Sequence, residues 1–147
     1  MNEFFNVLIG IGAFIFGYLY GSISFSVLIG KIFFKKDPRE YGSQNPGATN
    51  TGRVFGMKVG AIVVFLDFFK GLIPALIVFL IFRLTGIDQT GSALNTLGTS
   101  REFILFDHGI LFYNLAYLGT IIGHCYSLYL KGQGGKGVAC MIGYVGF

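Results

Sequence analysis

Long apolar runs with few or no charged residues alternate with shorter polar runs along this chain. At about 1.5 Å of rise per residue, a helix of roughly 20 residues crosses a hydrocarbon core of about 30 Å. Three runs are long enough to form such a span: residues 4–29, 59–82 and 109–130. A further apolar run begins at residue 138 and reaches only Phe147, so it predicts an incomplete fourth span.

The composition is that of a membrane protein. Hydrophobic residues make up 53% of the 147 positions and charged residues only 12%, so the chain is more apolar than an ordinary soluble domain. We therefore predict an all-α integral membrane protein, a polytopic helical bundle that forms a single membrane domain over residues 1–147 without a separate soluble domain. The N-terminal run carries Glu3 in place of a basic start and is too long for a signal peptide, which predicts a retained span.

The basic residues predict the orientation of the chain. The connection 31–58 holds six of the 11 Lys and Arg residues, the connection 83–108 holds two, and the run after residue 130 holds two more. By the positive-inside rule, the first and third of these regions face the cytoplasm and the N-terminus lies outside. The first loop (residues 42–53) and the second loop (residues 131–137) are then on the same, cytoplasmic side. The role of the region 83–108 stays open.

The first loop reads GSQNPGATNTGR and carries groups that suit a phosphate. Its neutral hydrogen-bonding side chains are Ser43, Asn45, Thr49 and Asn50. Arg53 adds a fixed cation that can hold an oxyanion through two parallel hydrogen bonds. The loop leads into an apolar helix, and a helix N-terminus can offer free amides to the same anion. An ordinary polar connection is the alternative that the residue types leave open.

The second loop reads KGQGGKG and gathers four glycines around Lys136. Successive backbone amides in such a run can form an anion-binding nest with a lysine beside it. The loop is not a Walker A loop, because Lys136 is followed by glycine rather than by serine or threonine. A flexible linker is the alternative, although a linker has no need of a lysine at the centre of a glycine cluster.

Titratable residues within or beside the spans complete the candidates. Asp67 and Lys70 stand three residues apart on one helical face, which predicts a structural ion pair. His124 lies just before the second loop, where it can bond to loop backbone or to a substrate. Cys125 and Cys140 belong to no disulfide framework or zinc pattern, so we expect reduced thiols and no metal. The small, loop-clustered positive charge fits membrane orientation better than nucleic-acid binding.

These motifs resemble those of the bacterial acyl-phosphate:glycerol-3-phosphate acyltransferases, the PlsY family. GSQNPGATNTGR, preceded by Asp37 and Arg39, resembles the first motif of that family, and GHCYSLYLKGQGGKGVAC resembles its second motif. DFFKG together with Pro74 is similar to the stretch that the family carries in its second span. The resemblance extends over nearly the whole chain.

The resemblance implies a bacterial cell-membrane enzyme that transfers a fatty acyl group from acyl phosphate to the sn-1 hydroxyl of glycerol 3-phosphate. The product is lysophosphatidic acid for phospholipid synthesis, and neither acyl-CoA, a metal nor another cofactor takes part. Ser43 and Arg53 match the serine and arginine of the first motif, and Lys136 matches the phosphate-binding second motif, so we predict these three residues as catalytic. Substrate or phosphate binding is predicted for Asn45, Thr49, Asn50, Gly134, Gly135, Gly137 and His124.

The chain departs from the family pattern at several positions. Gln44 replaces a common glycine, which costs on the order of 1 kcal/mol if this position has positive φ. Ser24 and Ser127 replace prolines, and Cys140 replaces a threonine. The third motif of the family, which brings a histidine and an asparagine to the site, would lie beyond Phe147. The resemblance thus implies a C-terminally truncated chain and leaves its own activity open.

A transporter or binding protein for a phosphorylated solute is the main alternative function. Helices interrupted by glycine-rich anion loops also serve transport. A carrier places its site near the middle of the membrane, whereas both loops of this chain are predicted at one cytoplasmic face. The predicted position of the loops therefore favours the enzyme.

Overall fold

The computed structural model describes residues 3–85 and 108–145, and within these two ranges the chain is helical and has no strand. The α-helices there are α1 (Glu3–Gly21), α2 (Phe25–Phe33), α3 (Ala48–Phe55), α4 (Met57–Thr85), α5 (His108–Cys125) and α6 (Val138–Val145). Short 3₁₀ turns at Pro38–Glu40 and Leu128–Leu130 stand in the connections. The polar region predicted at 83–108 falls almost wholly outside the described residues.

Within the described ranges, two segments are long and apolar enough to cross a membrane. They are Phe4–Phe33 and Met57–Phe82, with mean hydropathies of 1.7 and 2.3. Large apolar side chains such as Ile11, Ile15 and Phe65 are exposed on their outer faces. Lipid solvates such stripes, whereas soluble proteins rarely expose them in this number. These two segments agree with the predicted spans 4–29 and 59–82, whereas the third predicted span, 109–130, is not among the segments that are long and apolar enough in the described part of the chain.

The first predicted span is not one continuous helix. α1 ends at Gly21 and α2 begins at Phe25, and we call residues 21–24, from the last residue of α1 to the residue before α2, the helix break. Ser24 caps α2, because its Oγ accepts a hydrogen bond from the Val27 N–H at 3.4 Å. Hydropathy did not predict this break, because serine ends a helix through local hydrogen bonds while the run stays uncharged.

α1 and α5 pack backbone against backbone. A Cβ atom added at Gly17 would lie 1.9 Å from the carbonyl oxygen of Ala116, and one added at Gly119 would lie 2.2 Å from that of Phe14. Small residues permit this close approach between membrane helices. The contact brings the C-terminal ends of both helices to the same side of the bundle, since Tyr18 Oη donates to the Tyr126 carbonyl at 3.1 Å.

α4 packs against both α5 and α6. The rings of Phe82 and Phe112 lie in contact in an apolar core, with centroids 4.8 Å apart. A Cβ atom at Gly71 would lie 2.1 Å from the Cys140 carbonyl oxygen, so α4 and α6 are also in close contact. α4 continues through Pro74 without a change of helix type. The packing places the titratable residues of α4 beside the ends of the connection that contains the second loop.

Candidate functional site

Asn50 holds the first loop in shape. Its side chain is only 1% exposed, and its Oδ1 accepts a hydrogen bond from the Ser43 N–H at 2.9 Å. Its Nδ2 donates to the carbonyl oxygens of Pro38 at 2.7 Å and Tyr41 at 3.1 Å. These bonds use both ends of the amide, so the structure gives Asn50 a role in positioning the loop rather than the substrate contact expected from its residue type.

Three further predicted polar residues of the first loop are exposed to solvent. Ser43, Thr49 and Arg53 are exposed, and Arg53 lines a cavity of about 540 Å³. The remaining lining residues of this cavity are Phe34, Lys36, Tyr41, Gly42, Val54 and Phe55. Lys36 was not predicted as a site residue, because its sequence position in a basic connection indicated only membrane orientation.

Two residues of the first loop are energetically unfavourable, Gln44 through its backbone conformation and Asn45 through a buried polar atom. Gln44 has φ of 58°, which is the left-handed region, so its side chain occupies a position that favours glycine. The Asn45 Oδ1 is buried and has no hydrogen-bond partner. A buried oxygen without a partner is rare in native proteins. Asn45 is thus a predicted site residue whose side-chain oxygen is buried and unsatisfied within the protein.

The carboxylate of Asp37 and the guanidinium of Arg39 stabilise the turn that leads into the first loop. Arg39 donates to both Asp37 oxygens, from Nε at 3.0 Å and from Nη2 at 2.7 Å, and Lys31 lies 3.5 Å from the same carboxylate. The hydrogen bond from the Arg39 side chain is the main reason why the pKa of Asp37 falls to about 2. Asp37 is therefore ionised at neutral pH and stabilises the turn that precedes the loop.

The second loop is bonded to the end of α5. The Gly134 N–H donates to the Cys125 carbonyl at 3.1 Å, and the Gly135 N–H donates to the His124 carbonyl at 2.9 Å. These carbonyls lack helical partners at a helix C-terminus. Because the two amides are used inside the protein, they are not free for the anion nest predicted from the glycine pattern. The Lys136 side chain is exposed at the same loop.

Glycine is required at positions 134 and 135 by close approach. A Cβ atom at Gly134 would lie 2.0 Å from the His124 carbonyl oxygen, and one at Gly135 would lie 2.3 Å from the His124 Nε2. The imidazole of His124 therefore packs directly against the loop backbone. Of the two partners predicted for His124, loop backbone or substrate, the structure shows contact with the loop.

A buried polar cluster lies beneath the second loop. Lys70 Nζ is 3.3 Å from Asp67 Oδ1, and both side chains are almost completely buried, which confirms the ion pair predicted from their spacing. The same carboxylate oxygen is 3.8 Å from His124 Nδ1. The ammonium also donates to the carbonyl oxygens of Gly21, at 3.4 Å, and Ile23. The cluster thus connects α4 with α5 and with the helix break.

Three of the buried side chains could be considered as metal ligands. The ligand atoms of Asp67, His124 and Cys140 all lie within 4.8 Å of one another. Lys70 already supplies the cation that balances Asp67, so a divalent ion would add uncompensated charge to a buried site. We therefore interpret the cluster as a charge-balanced polar core and not as a metal centre.

Among the described residues, no hydrogen bond or ion pair joins the first loop directly to the second. The structure brings together His124, Gly134 and Gly135 around the second loop, and Ser43 and Asn50 in the first. Arg53 and Lys136 each lie exposed on their own loop. The connection between the two loops passes through the helix break.

Comparison with known proteins decides which family shares this arrangement. The family model described as glycerol-3-phosphate acyltransferase matches residues 11–147. The chain belongs to the glycerol-3-phosphate acyltransferase family. This match confirms the family resemblance inferred from the two motifs.

Relatives within this family are substantially similar in sequence. The glycerol-3-phosphate acyltransferase of Mycoplasmopsis synoviae is 37% identical over 145 residues, which are 97% of this chain and 56% of the relative. That of Staphylococcus haemolyticus is 44% identical over 131 residues, which are 89% of this chain and 56% of the relative. The chain thus spans about half the length of the curated relatives that it matches.

Two solved structures share the fold. Both are crystal structures of PlsY (YgiH), an integral membrane glycerol 3-phosphate acyltransferase, one in a glycerol 3-phosphate form and one in a lysophosphatidic acid form. Their TM-scores are 0.65 and 0.63 at 35% and 34% identity. The alignments cover 92% of this chain and 56% and 55% of the solved chains. This likeness confirms the predicted class, an all-α integral membrane protein.

Proposed function

We propose that the protein acts as a glycerol-3-phosphate acyltransferase that uses acyl phosphate as the donor and forms lysophosphatidic acid. The observation that carries the proposal is the likeness to a structure of this family described as a glycerol 3-phosphate form. The two motif loops lie within the matched family range, and each presents an exposed cation, Arg53 and Lys136. Both proposed substrates are phosphorylated, so two cations suit them.

The proposed roles follow from what each exposed group can do. Arg53 holds a phosphate oxygen pair in the cavity of the first loop, and Ser43 offers a hydroxyl at the same loop. Lys136 binds the second phosphate as a point charge. Together the cations offset the repulsion between two anionic substrates and hold the hydroxyl near the acyl carbon, so that catalysis rests on positioning and charge stabilisation.

The remaining proposed contacts divide into two groups. Thr49 is exposed and Asn45 has a buried oxygen without a partner, so both are proposed to contact substrate. Asn50, His124, Gly134 and Gly135 are proposed to support binding by shaping the loops, since their polar groups or backbones already bond within the protein. Gly137, with φ of 74°, lets the chain turn after Lys136.

The proposed transfer balances without a redox partner or a metal. The sn-1 hydroxyl oxygen of glycerol 3-phosphate attacks the carbonyl carbon of acyl phosphate and forms an ester bond. The bond between the acyl carbon and the phosphate oxygen breaks, and phosphate leaves with that electron pair. The hydroxyl proton passes to a phosphate oxygen, so the products are lysophosphatidic acid and inorganic phosphate.

The membrane supplies the lipid part of the reaction. We propose that the acyl chain enters laterally along the exposed apolar faces of α1 and α4, while the phosphates stay at the cytoplasmic loops. This orientation rests on the distribution of basic residues. Membership of an acyltransferase family makes the transporter alternative the weaker proposal.

The test supplies the natural full-length gene product, purified in detergent, with palmitoyl phosphate and radiolabelled glycerol 3-phosphate. We expect labelled lysophosphatidic acid, and a loss of roughly 100-fold in Ser43→Ala and Arg53→Ala, since each removes a hydrogen-bonding group proposed to stabilise the reacting phosphates. Lys58→Ala, which removes an exposed lysine outside both loops, is the matched control. If the unaltered protein forms no labelled lipid with acyl phosphate, the donor assignment is wrong, and a parallel reaction with palmitoyl-CoA identifies the other donor class.

A further inference from the structure

The helix break is bonded to the connection that leads into the second loop. Ser22 Oγ accepts a hydrogen bond from the Leu128 N–H at 3.2 Å, and Ser127 Oγ donates to the Ser22 carbonyl at 2.5 Å. Both serine side chains are buried, so water does not compete for these bonds. The connection that leads into the second loop is therefore fixed to the break.

The other side of the break is bonded to the first loop. The hydroxyl oxygens of Ser26 and Thr51 are 2.5 Å apart, and Thr51 Oγ1 donates to the Gly47 carbonyl at 3.0 Å. Ser26 is then the donor to Thr51, since a hydroxyl has a single hydrogen to give. These buried bonds tie α2 to the beginning of α3, which carries Arg53.

Lys70 occupies the centre of this arrangement. Its ammonium binds the carbonyls of Gly21 and Ile23, which lose their helical partners where α1 stops. It lies 4.8 Å from the centroid of the Phe25 ring, the first residue of α2. Through Asp67 it reaches His124, whose carbonyl accepts the bond from the second loop.

We propose that Lys70 is a positioning residue of the two-loop site. By binding the carbonyls of the helix break and, through Asp67, the histidine beneath the second loop, it sets the separation of the two loops without touching a substrate. Its kinetic consequence rests on the proposed function. The separation itself is a property of the resting protein and can be measured without any reaction.

The contacts distinguish this role from that of an ordinary buried ion pair. Replacing both members of a buried pair with neutral residues is often tolerated, because no charge is left without a partner. Here the ammonium also binds two carbonyls of the break, and neutralising Asp67 does not replace those bonds. A variant that removes both charges therefore separates the two roles.

The experiment measures the distance between the loops by double electron–electron resonance. Nitroxide labels are placed at Gln44→Cys and Gln133→Cys, both exposed loop positions, with Cys125 and Cys140 replaced by serine. We expect one narrow distance distribution in this background. Lys70→Met, and the double variant Asp67→Asn with Lys70→Met, should both broaden or shift the distribution. Lys58→Met, on the exposed start of α4, should leave it unchanged.

Each outcome decides for or against the proposal. A double variant that folds and gives the background distribution would overturn it, because Lys70 would then only balance Asp67. If Lys70→Met does not fold, the double variant carries the test alone, since it has no orphaned carboxylate. Ser26→Ala, which cuts the link to the first loop, must also broaden the distribution if the break sets the loop positions.

Kinetics supply a second readout. In the double variant we expect kcat to fall roughly 10- to 100-fold, because misplacing reacting groups by about 1 Å is sufficient for such a loss. The KM for glycerol 3-phosphate should change much less, since Arg53 and Lys136 remain. Unaltered protein without acyltransferase activity would contradict the proposed function, but the distance comparison would still test the role of Lys70.

Discussion

At the scale of single residues, the neighbours Thr49 and Asn50 have different roles. Thr49 is exposed, whereas Asn50 holds the first loop in shape. Asn50→Ala removes three hydrogen bonds and leaves buried loop groups without partners, so we expect a loss of roughly 2–4 kcal/mol in the free energy of unfolding. Thr49→Ala removes an exposed hydroxyl and should change this free energy by less than about 0.5 kcal/mol while raising a substrate KM. Thermal unfolding in detergent measures the stability of each variant, and steady-state kinetics measure its KM. Equal stabilities of the two variants would contradict the role of Asn50 in holding the first loop in shape.

Asp37 makes the stability of the first loop depend on acid pH. The hydrogen bond from Arg39 lowers its pKa from 3.8 to about 2, so ionised Asp37 stabilises the folded protein above about pH 4. This stabilisation, at most about 2 kcal/mol, is lost as the pH falls from about 4 to about 2. The stability difference between the unaltered protein and Asp37→Asn should therefore shrink over that window.

Unfolding curves at a series of pH values measure this difference. Glu40→Gln is the control, because Glu40 is an exposed carboxylate in the same 3₁₀ turn. A difference that stays constant from pH 6 to about pH 2 would show that Arg39 does not stabilise the ionised form.

The sequence could predict those residues whose role depends on local spacing. Asp67 and Lys70 pair because positions three apart share a helical face. The role of Asn50 in holding the loop could not be predicted from spacing, because its bonds to Pro38 and Tyr41 depend on how the loop folds back. The residue type of Asn50 predicted a polar contact but not the groups that make this contact.

At the scale of helices, the glycines of α1 are not equivalent. A Cβ atom at Gly17 would overlap the Ala116 carbonyl, whereas one at Gly12 would meet nothing within 4 Å. We expect Gly17→Ala to destabilise the protein by about 1–3 kcal/mol, since α1 must move away from α5. Gly12→Ala should be neutral or slightly stabilising, because alanine favours helix. Thermal unfolding of both variants tests this packing. Equal losses of stability in the two variants would contradict it.

The helix break shows where prediction from the sequence stops. An uncharged run from Phe4 to Ile29 indicates length and membrane location, and both agree with the segment Phe4–Phe33. The interruption depends on partners far along the chain, Lys70 and Ser127, which a local pattern does not contain. The second loop was located correctly, but its amides bond to α5, because the end of that helix supplies unpaired carbonyls.

At the scale of the whole molecule, we predict that both loops face the cytoplasm. An impermeant maleimide should label Gln44→Cys and Gln133→Cys, in a variant without other cysteines, in inside-out vesicles and not in right-side-out vesicles. Labelling of the two positions from opposite sides would exclude a shared site.

The packing of α1 on α5 also bears on biogenesis. Gly17 and Ala116 are brought together although the chain between them contains all of α2, α3 and α4. During synthesis the glycine surface of α1 therefore has no α5 to pack against until α5 has left the ribosome. Contacts this distant in sequence form late. Substitutions on this surface should thus lower the yield of assembled protein in cells by lengthening the interval in which quality-control proteases can reach the unpaired helix.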